Sequence, residues 1–263
     1  LVLDTSLAFH HPDRTFDLPC FRLGEHRVRE LPYGRWRVRR RVLRGLGRIG
    51  LAPVRWVEEP EGDLRFDPEV LKVRPPCVLK GYWQSERYFA SVETELRQEF
   101  AVVRAQDPQS AACQARMQQV PSIGLHVRRG DYLDPGDPHT PCSLEYYAAA
   151  LRLIGPSLGP NAELFVFSDD IRWAREHIRF DLPTVFVDWN ADRNYEDLRL
   201  MSACRALIAV NSTFSWWGGW LNPRTDKIVV VPRDWYRSSG MACDLPGSAW
   251  ATAIRSSSTR RPA

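Results

Sequence analysis

From residue 122 to residue 231 the chain repeats one pattern: a short apolar run, a polar break, then apolar positions three and four apart. The runs lie at 122–127, 164–167, 184–187, 207–210 and 228–231. Helical spacing fills the intervals. It passes through Leu144, Tyr147, Ala148, Leu151 and Ile154 behind a capping Ser143, then through Ile171, Ala174 and Ile178. It returns over 194–205, with Leu200, Cys204 and Leu207 in line, and another helix begins at 214–220. Short strands alternating with helices predict a parallel, doubly wound α/β sheet with right-handed crossovers.

Before residue 120 the pattern is weaker. Residues 1–4 read as a strand, 5–19 as a loop, and 78–83 as a strand running into an aromatic turn. Val92, Leu96, Phe100 and Val103 predict an amphipathic helix over 91–105. The polar stretch 106–119, with Pro108, reads as a link between two halves. Around 37–48 a helical pattern is weakened by Gly45 and Gly47. The expected organisation is 1–119, 120–250 and a polar tail at 251–263.

At 263 residues the chain has length enough for one large or two modest cores. Its net charge of +4 is concentrated in a run from Arg35 to Arg48, interleaved with Trp36, Val38, Val42 and Leu43. Such a run suits a solvated helix face, or contact with an anionic membrane surface or a nucleic acid. The modest net charge argues against a dedicated nucleic-acid binder. Six scattered cysteines form no C-x-x-C pair and have no histidine at metal-ligand spacing, so reduced thiols in the cytoplasm are the plain expectation. No run of eighteen apolar residues marks a membrane span.

In an open α/β sheet, ligands sit beyond the carboxyl ends of the strands. Three ends here carry complementary polar groups. The first offers His126, Arg128 and Arg129, the second Ser168, Asp169 and Asp170, and the third Asn211, Ser212 and Thr213 ahead of a helix. Guanidinium forks with free amides at a helix start would hold a diphosphate without a metal, and carboxylates suit a guanine edge or ribose hydroxyls. Each group has a plainer reading. Asp131 could lock the turn by pairing with an arginine, Ser212 could cap the helix, and Asp169 and Asp170 could cap the helix at 171 or bind Mg²⁺. There is no G-x-G-x-x-G after a strand, no P-loop and no G-x-S-x-G elbow.

The stretch from Gly124 to Tyr132, GLHVRRGDY, resembles the first motif of the α1,2-fucosyltransferases, glycosyltransferase family 11. LKGYWQSERYF from Leu79, CSLEYY from Cys142, FVFSDD from Phe165, VDWN from Val187, YEDLRLMS from Tyr195 and NSTFSWWGGWLN from Asn211 are similar to bacterial members. The resemblance runs from about residue 1 to residue 236. It implies a GT-B fold of two Rossmann-like domains and inverting transfer of L-fucose from GDP-β-L-fucose to the 2-hydroxyl of a galactose-terminated acceptor, without metal. It further implies that Arg128 grips the β-phosphate, that His126 and Asp197 contact the guanine base, and that Ser212 and Thr213 complete the phosphate cradle, with Arg129 and Asp169 in the same donor site. Family members place a strand and a glycine-rich turn ahead of the region matching Leu1, so a truncated N-terminal domain is expected. Asp4, His10, His11 and Asp13 are the candidates for a general base toward the acceptor. Competing classes are a GDP-sugar-binding module without transferase activity and a basic adaptor using residues 35–48.

Overall fold

The computed structural model describes residues 2–3, 17–23, 29–30, 55–237, 241–248 and 251–254. The chain forms two compact units, Leu1–Arg104 with Ala242–Asp244, and Ala105–Met241 with Leu245–Ala263.

The second unit is built on six parallel strands: β1 (Ser122–Val127), β2 (Glu163–Ser168), β3 (Thr184–Val187), β4 (Ala206–Ile208), β5 (Ile228–Pro232) and β6 (Thr252–Ile254). Their order across the sheet is β3-β2-β1-β4-β5-β6, every pairing parallel. Helices α1 (Pro108–Gln119), α2 (Leu144–Leu158), α3 (Ile171–His177), α4 (Asn194–Ala203) and α5 (Thr213–Leu221) cover it. Strand periodicity divides the core into two layers. Leu164 and Val166 pack with Tyr146, Tyr147 and Ile154 of α2, whereas Phe165 and Phe167 pack with Met117 of α1 and Leu200 and Met201 of α4. All six residues of β1 are buried, as a central strand covered on both faces must be. Gly124 allows that cover to come close, because a Cβ there would stand 2.9 Å from Leu207 and 3.0 Å from the Cys204 sulfur.

Residues 106–119 are not a link. Asp107 accepts hydrogen bonds from the amides of Gln109 and Ser110, Pro108 sits in the first turn, and Ser110, Cys113 and Met117 face inward from α1. The helix expected over 91–105 is shorter, Glu93–Glu99. Beyond it Phe21 and Val102 pair as an antiparallel bridge, with the Arg22 amide donating to Ala101 and the Val103 amide to Cys20, which draws the chain out of helical geometry. In α2 the buried stripe is Tyr146, Tyr147, Ala150, Ile154 and Leu158, one step round from the expected face, and Leu144 is exposed. The segment expected to open a polar tail instead supplies β6, paired with Val230–Pro232 through Thr252–Ile254.

In the first unit the described strands form two-residue and four-residue parallel pairs, the longest joining Arg55–Glu58 to Cys77–Lys80. An aromatic turn follows, as expected: the Glu59 carboxylate accepts the amides of Tyr82 (2.7 Å) and Trp83 (3.1 Å), and Trp83 adopts φ +50°. The helical pattern near 37–48 and the candidate bases Asp4, His10, His11 and Asp13 lie outside the described residues.

Candidate donor site at the strand switch point

Strand order reverses direction between β1 and β4, and the crevice beyond their carboxyl ends is where a doubly wound sheet holds its ligand. Leaving β1, the chain makes the turn Arg128–Gly130; leaving β4, it passes Asn211 and enters α5. Tyr132 joins the two ends: its phenol donates to the Asn211 carbonyl at 2.7 Å, and burial pushes its pKa well above the ordinary value. Ser212 occupies the N-cap position of α5, and its side chain makes no capping bond there. Asn211 is buried and structural. Its amide donates to the carbonyls of Thr140 and Trp235, 3.0 Å each, pinning the long β1–α2 loop.

His126, the penultimate residue of β1, is 5% exposed, its ring 5.7 Å from that of Phe214 in α5. Burial, then the nearby Arg128 charge, lowers its pKa to about 3, so the imidazole is neutral at physiological pH. Its Nδ1 is buried without a hydrogen-bond partner, a cost that a bound polar group could remove.

The two arginines that adjoin in sequence part in space. Arg128 donates from Nε and Nη2 to the two carboxylate oxygens of Asp131, at 2.9 and 3.0 Å, and its Nε lies 3.3 Å from Asp169. Arg129 lies over the Trp173 ring of α3, 3.9 Å from its centre, with Nε 3.6 Å from Asp170. Asp169 accepts the amides of Arg129 and Gly130, 2.9 Å each, through its two oxygens. A Cβ on Gly130 would come within 2.9 Å of one of them, so the close approach requires glycine. Asp170 caps α3 by accepting from the Trp173 amide. The plainer readings of Asp131 and Asp170 are therefore realised in this geometry, and Asp169 ties the arginine turn to β2.

Asp197 belongs to a separate polar network at the end of β3. It accepts from the Asn190 amide at 2.9 Å; the Asn190 carbonyl oxygen takes the Ser110 hydroxyl at 3.2 Å, and the Trp189 indole donates to Ser110. Desolvation, followed by the neighbouring Glu196, raises the Asp197 pKa to about 7, though part of the side chain still reaches solvent. Thus His126, Arg128, Arg129 and Asp169 gather around the end of β1, Ser212 and Thr213 stand across the switch point, and Asp197 stands toward the sheet edge. Tyr132 and Asn190 are the positions whose structural weight was not singled out from sequence. Both lie inside the quoted motifs, which was the available signal.

An open parallel sheet in the 3-2-1-4-5-6 order, with an arginine turn and a helix start at its switch point, is a doubly wound, Rossmann-like domain. The sequence profile of Glycosyl transferase family 11 matches residues 68–250, and the chain belongs to that family. It is 43% identical over 122 residues to the O-antigen biosynthesis glycosyltransferase WbnK of Escherichia coli, covering 44% of this chain and 39% of that protein. An alpha-1,2-colitosyltransferase of Escherichia coli is 33% identical over 165 residues, 59% of this chain and 55% of its own length. The matched regions thus span about half or less of these curated relatives. Among solved structures, POFUT1 in complex with GDP is similar with a TM-score of 0.40 at 14% identity, over 65% of this chain and 60% of that one. An Escherichia coli ADP-heptose heptosyltransferase II gives 0.39 at 15% identity, over 88% and 76%.

Proposed function

We propose that the chain transfers L-fucose from GDP-β-L-fucose to the 2-hydroxyl of a terminal galactose, with inversion and without a metal ion. The observation that carries this reading is the meeting of the Arg128 turn with the Ser212–Thr213 helix start, bridged by Tyr132, at the switch point of a family 11 chain. In the displacement, negative charge grows on the departing GDP while the sugar becomes oxocarbenium-like. Arg128 and the amides at the start of α5 stabilise that charge as preorganised donors. Neutral, buried His126 and the Asp197 carboxylate read the guanine edge. The carboxylates nearest the arginines are already engaged: Asp131 with Arg128, Asp169 with two amides, Asp170 with the α3 cap. In this reading, charge compensation of the diphosphate falls to guanidinium and amide donors.

A second reading, α-1,2 transfer of colitose by the same displacement, is supported by the likeness to the alpha-1,2-colitosyltransferase. In either case we assign the reaction to the cytoplasm and residues 35–48 to an anionic membrane surface, a contact that flotation with anionic vesicles would test.

Calorimetric titration with GDP-fucose, GDP and UDP in EDTA tests the donor site. Binding of the two guanine ligands alone, lost in Arg128→Ala, is expected; equal binding of UDP would refute the guanine reading. A galactoside screen with GDP-fucose and GDP-colitose then separates the two transfer reactions.

A further inference from the structure

The carboxylates around Arg128 are arranged asymmetrically. Asp131 takes its Nε and Nη2, and Asp169 approaches the same Nε at 3.3 Å. Asp131 therefore fills the Nε edge of the guanidinium, and Asp169 lies beside the same nitrogen. A guanidinium has two forks, and the Nε side is the filled one. The terminal fork, formed by Nη1 with the second Nη2 hydrogen, takes part in none of these contacts, and the side chain is about one-third exposed. Asp169 also fixes the backbone from which Arg128 projects, since its oxygens hold the next two amides at 2.9 Å each. Gly130 leaves the room for this: with any Cβ, that carboxylate would have to move.

A flexible arginine loses rotamer freedom when it binds a phosphate, and this cost lowers affinity. Here the freedom is removed before a ligand arrives. We infer that Asp131 and Asp169 are positioning residues that clamp the Nε edge of Arg128 and aim its terminal fork at the diphosphate. This rests on the reading of the switch point as a GDP-sugar site. It also gives Asp169 a different role from a direct donor contact: it acts through Arg128 and the turn.

The opposite arrangement has a different signature. If Asp131 were merely an anion occupying the phosphate position, removing its charge would free Arg128 and tighten binding. The substitutions Asp131→Asn and Asp169→Asn decide between them, because each keeps the side-chain shape while taking away a carboxylate oxygen.

The test is calorimetric titration of the full chain and both variants with GDP and with GMP, beside thermal melts. Preorganisation predicts that either variant weakens GDP about tenfold or more, the scale of losing a charge-assisted hydrogen bond, while GMP changes little. A general loss of structure would instead weaken both nucleotides and lower the melting temperature together; that outcome in both variants would overturn the inference. So would tighter or unchanged GDP binding by Asp131→Asn. If Asp169→Asn does not fold, Asp131→Asn still decides. Failure of the unsubstituted chain to bind GDP would sink the site reading and the inference with it, whereas GDP binding with indifferent variants would sink the inference alone.

Discussion

The carboxyl ends of β1 and β4 meet at one crevice and are built in opposite ways. In the proposed donor site, the donor at β1 is a side chain, Arg128, held by carboxylates of the same turn and of the turn after β2. At β4 the proposed donors are backbone amides at a helix start, and the flanking Asn211 side chain is taken up by the carbonyls of Thr140 and Trp235. The first end contributes a charge that must be steered into place; the second contributes dipoles that the helix has already aligned. A side-chain donor is lost with one substitution, whereas backbone donors survive nearly all of them.

Arg128→Ala should break this contrast most sharply, lowering turnover about 10²–10³-fold, the cost of one preorganised donor to a developing anion. Arg128→Lys should be nearly as damaging, because an ammonium cannot fill one edge with Asp131 and present a second fork. Steady-state kinetics close to those of the unsubstituted chain would refute the role. Gly130→Ala comes next. Its methyl group displaces Asp169 from an amide at 2.9 Å, and GDP affinity should fall about tenfold.

The pH dependence of GDP binding follows in size. With its pKa raised to about 7, Asp197 is protonated in the free protein below that pH and anionic above it. Guanine donates hydrogen bonds, so binding favours the anion. Affinity should rise with pH, by at most about tenfold per unit, and level off above about 7, with proton uptake by the buffer visible in calorimetry. In Asp197→Asn the slope should vanish; an unchanged slope would place the titrating group elsewhere. Ser212→Ala should have the smallest effect, a few-fold loss at most, because the amides at the start of α5 remain and the hydroxyl makes no capping bond there. A loss as large as that of Arg128→Ala would show that the two strand ends are not built as differently as described.

Periodicity made the alternating core of the second unit legible, because β1 and β2 are buried on both faces and α2 carries a long apolar stripe. It missed α1, whose inward positions are Ser110, Cys113 and Met117 and whose clearest signal was the Asp107–Pro108 start. It missed β6 because Thr252–Ile254 is three residues long and acquires its identity from pairing with β5. The arginines, aspartates and helix start of the site were all visible as residue types. Their pairing was not. Arg128 turning to Asp131 and Asp169 while Arg129 turns to Trp173 and Asp170 depends on how β1, β2 and α3 are placed in three dimensions.

That pairing has a kinetic consequence. Two arginines at the end of β1 face three carboxylates, so the cluster carries no net positive charge despite its basic appearance in sequence. In the proposed site it would exert little long-range pull on an anionic nucleotide, and the attraction would act only once the phosphates reach the terminal fork of Arg128. Association should therefore proceed at an unsteered rate, and raising ionic strength should slow it far less than it slows capture by an unpaired cationic patch.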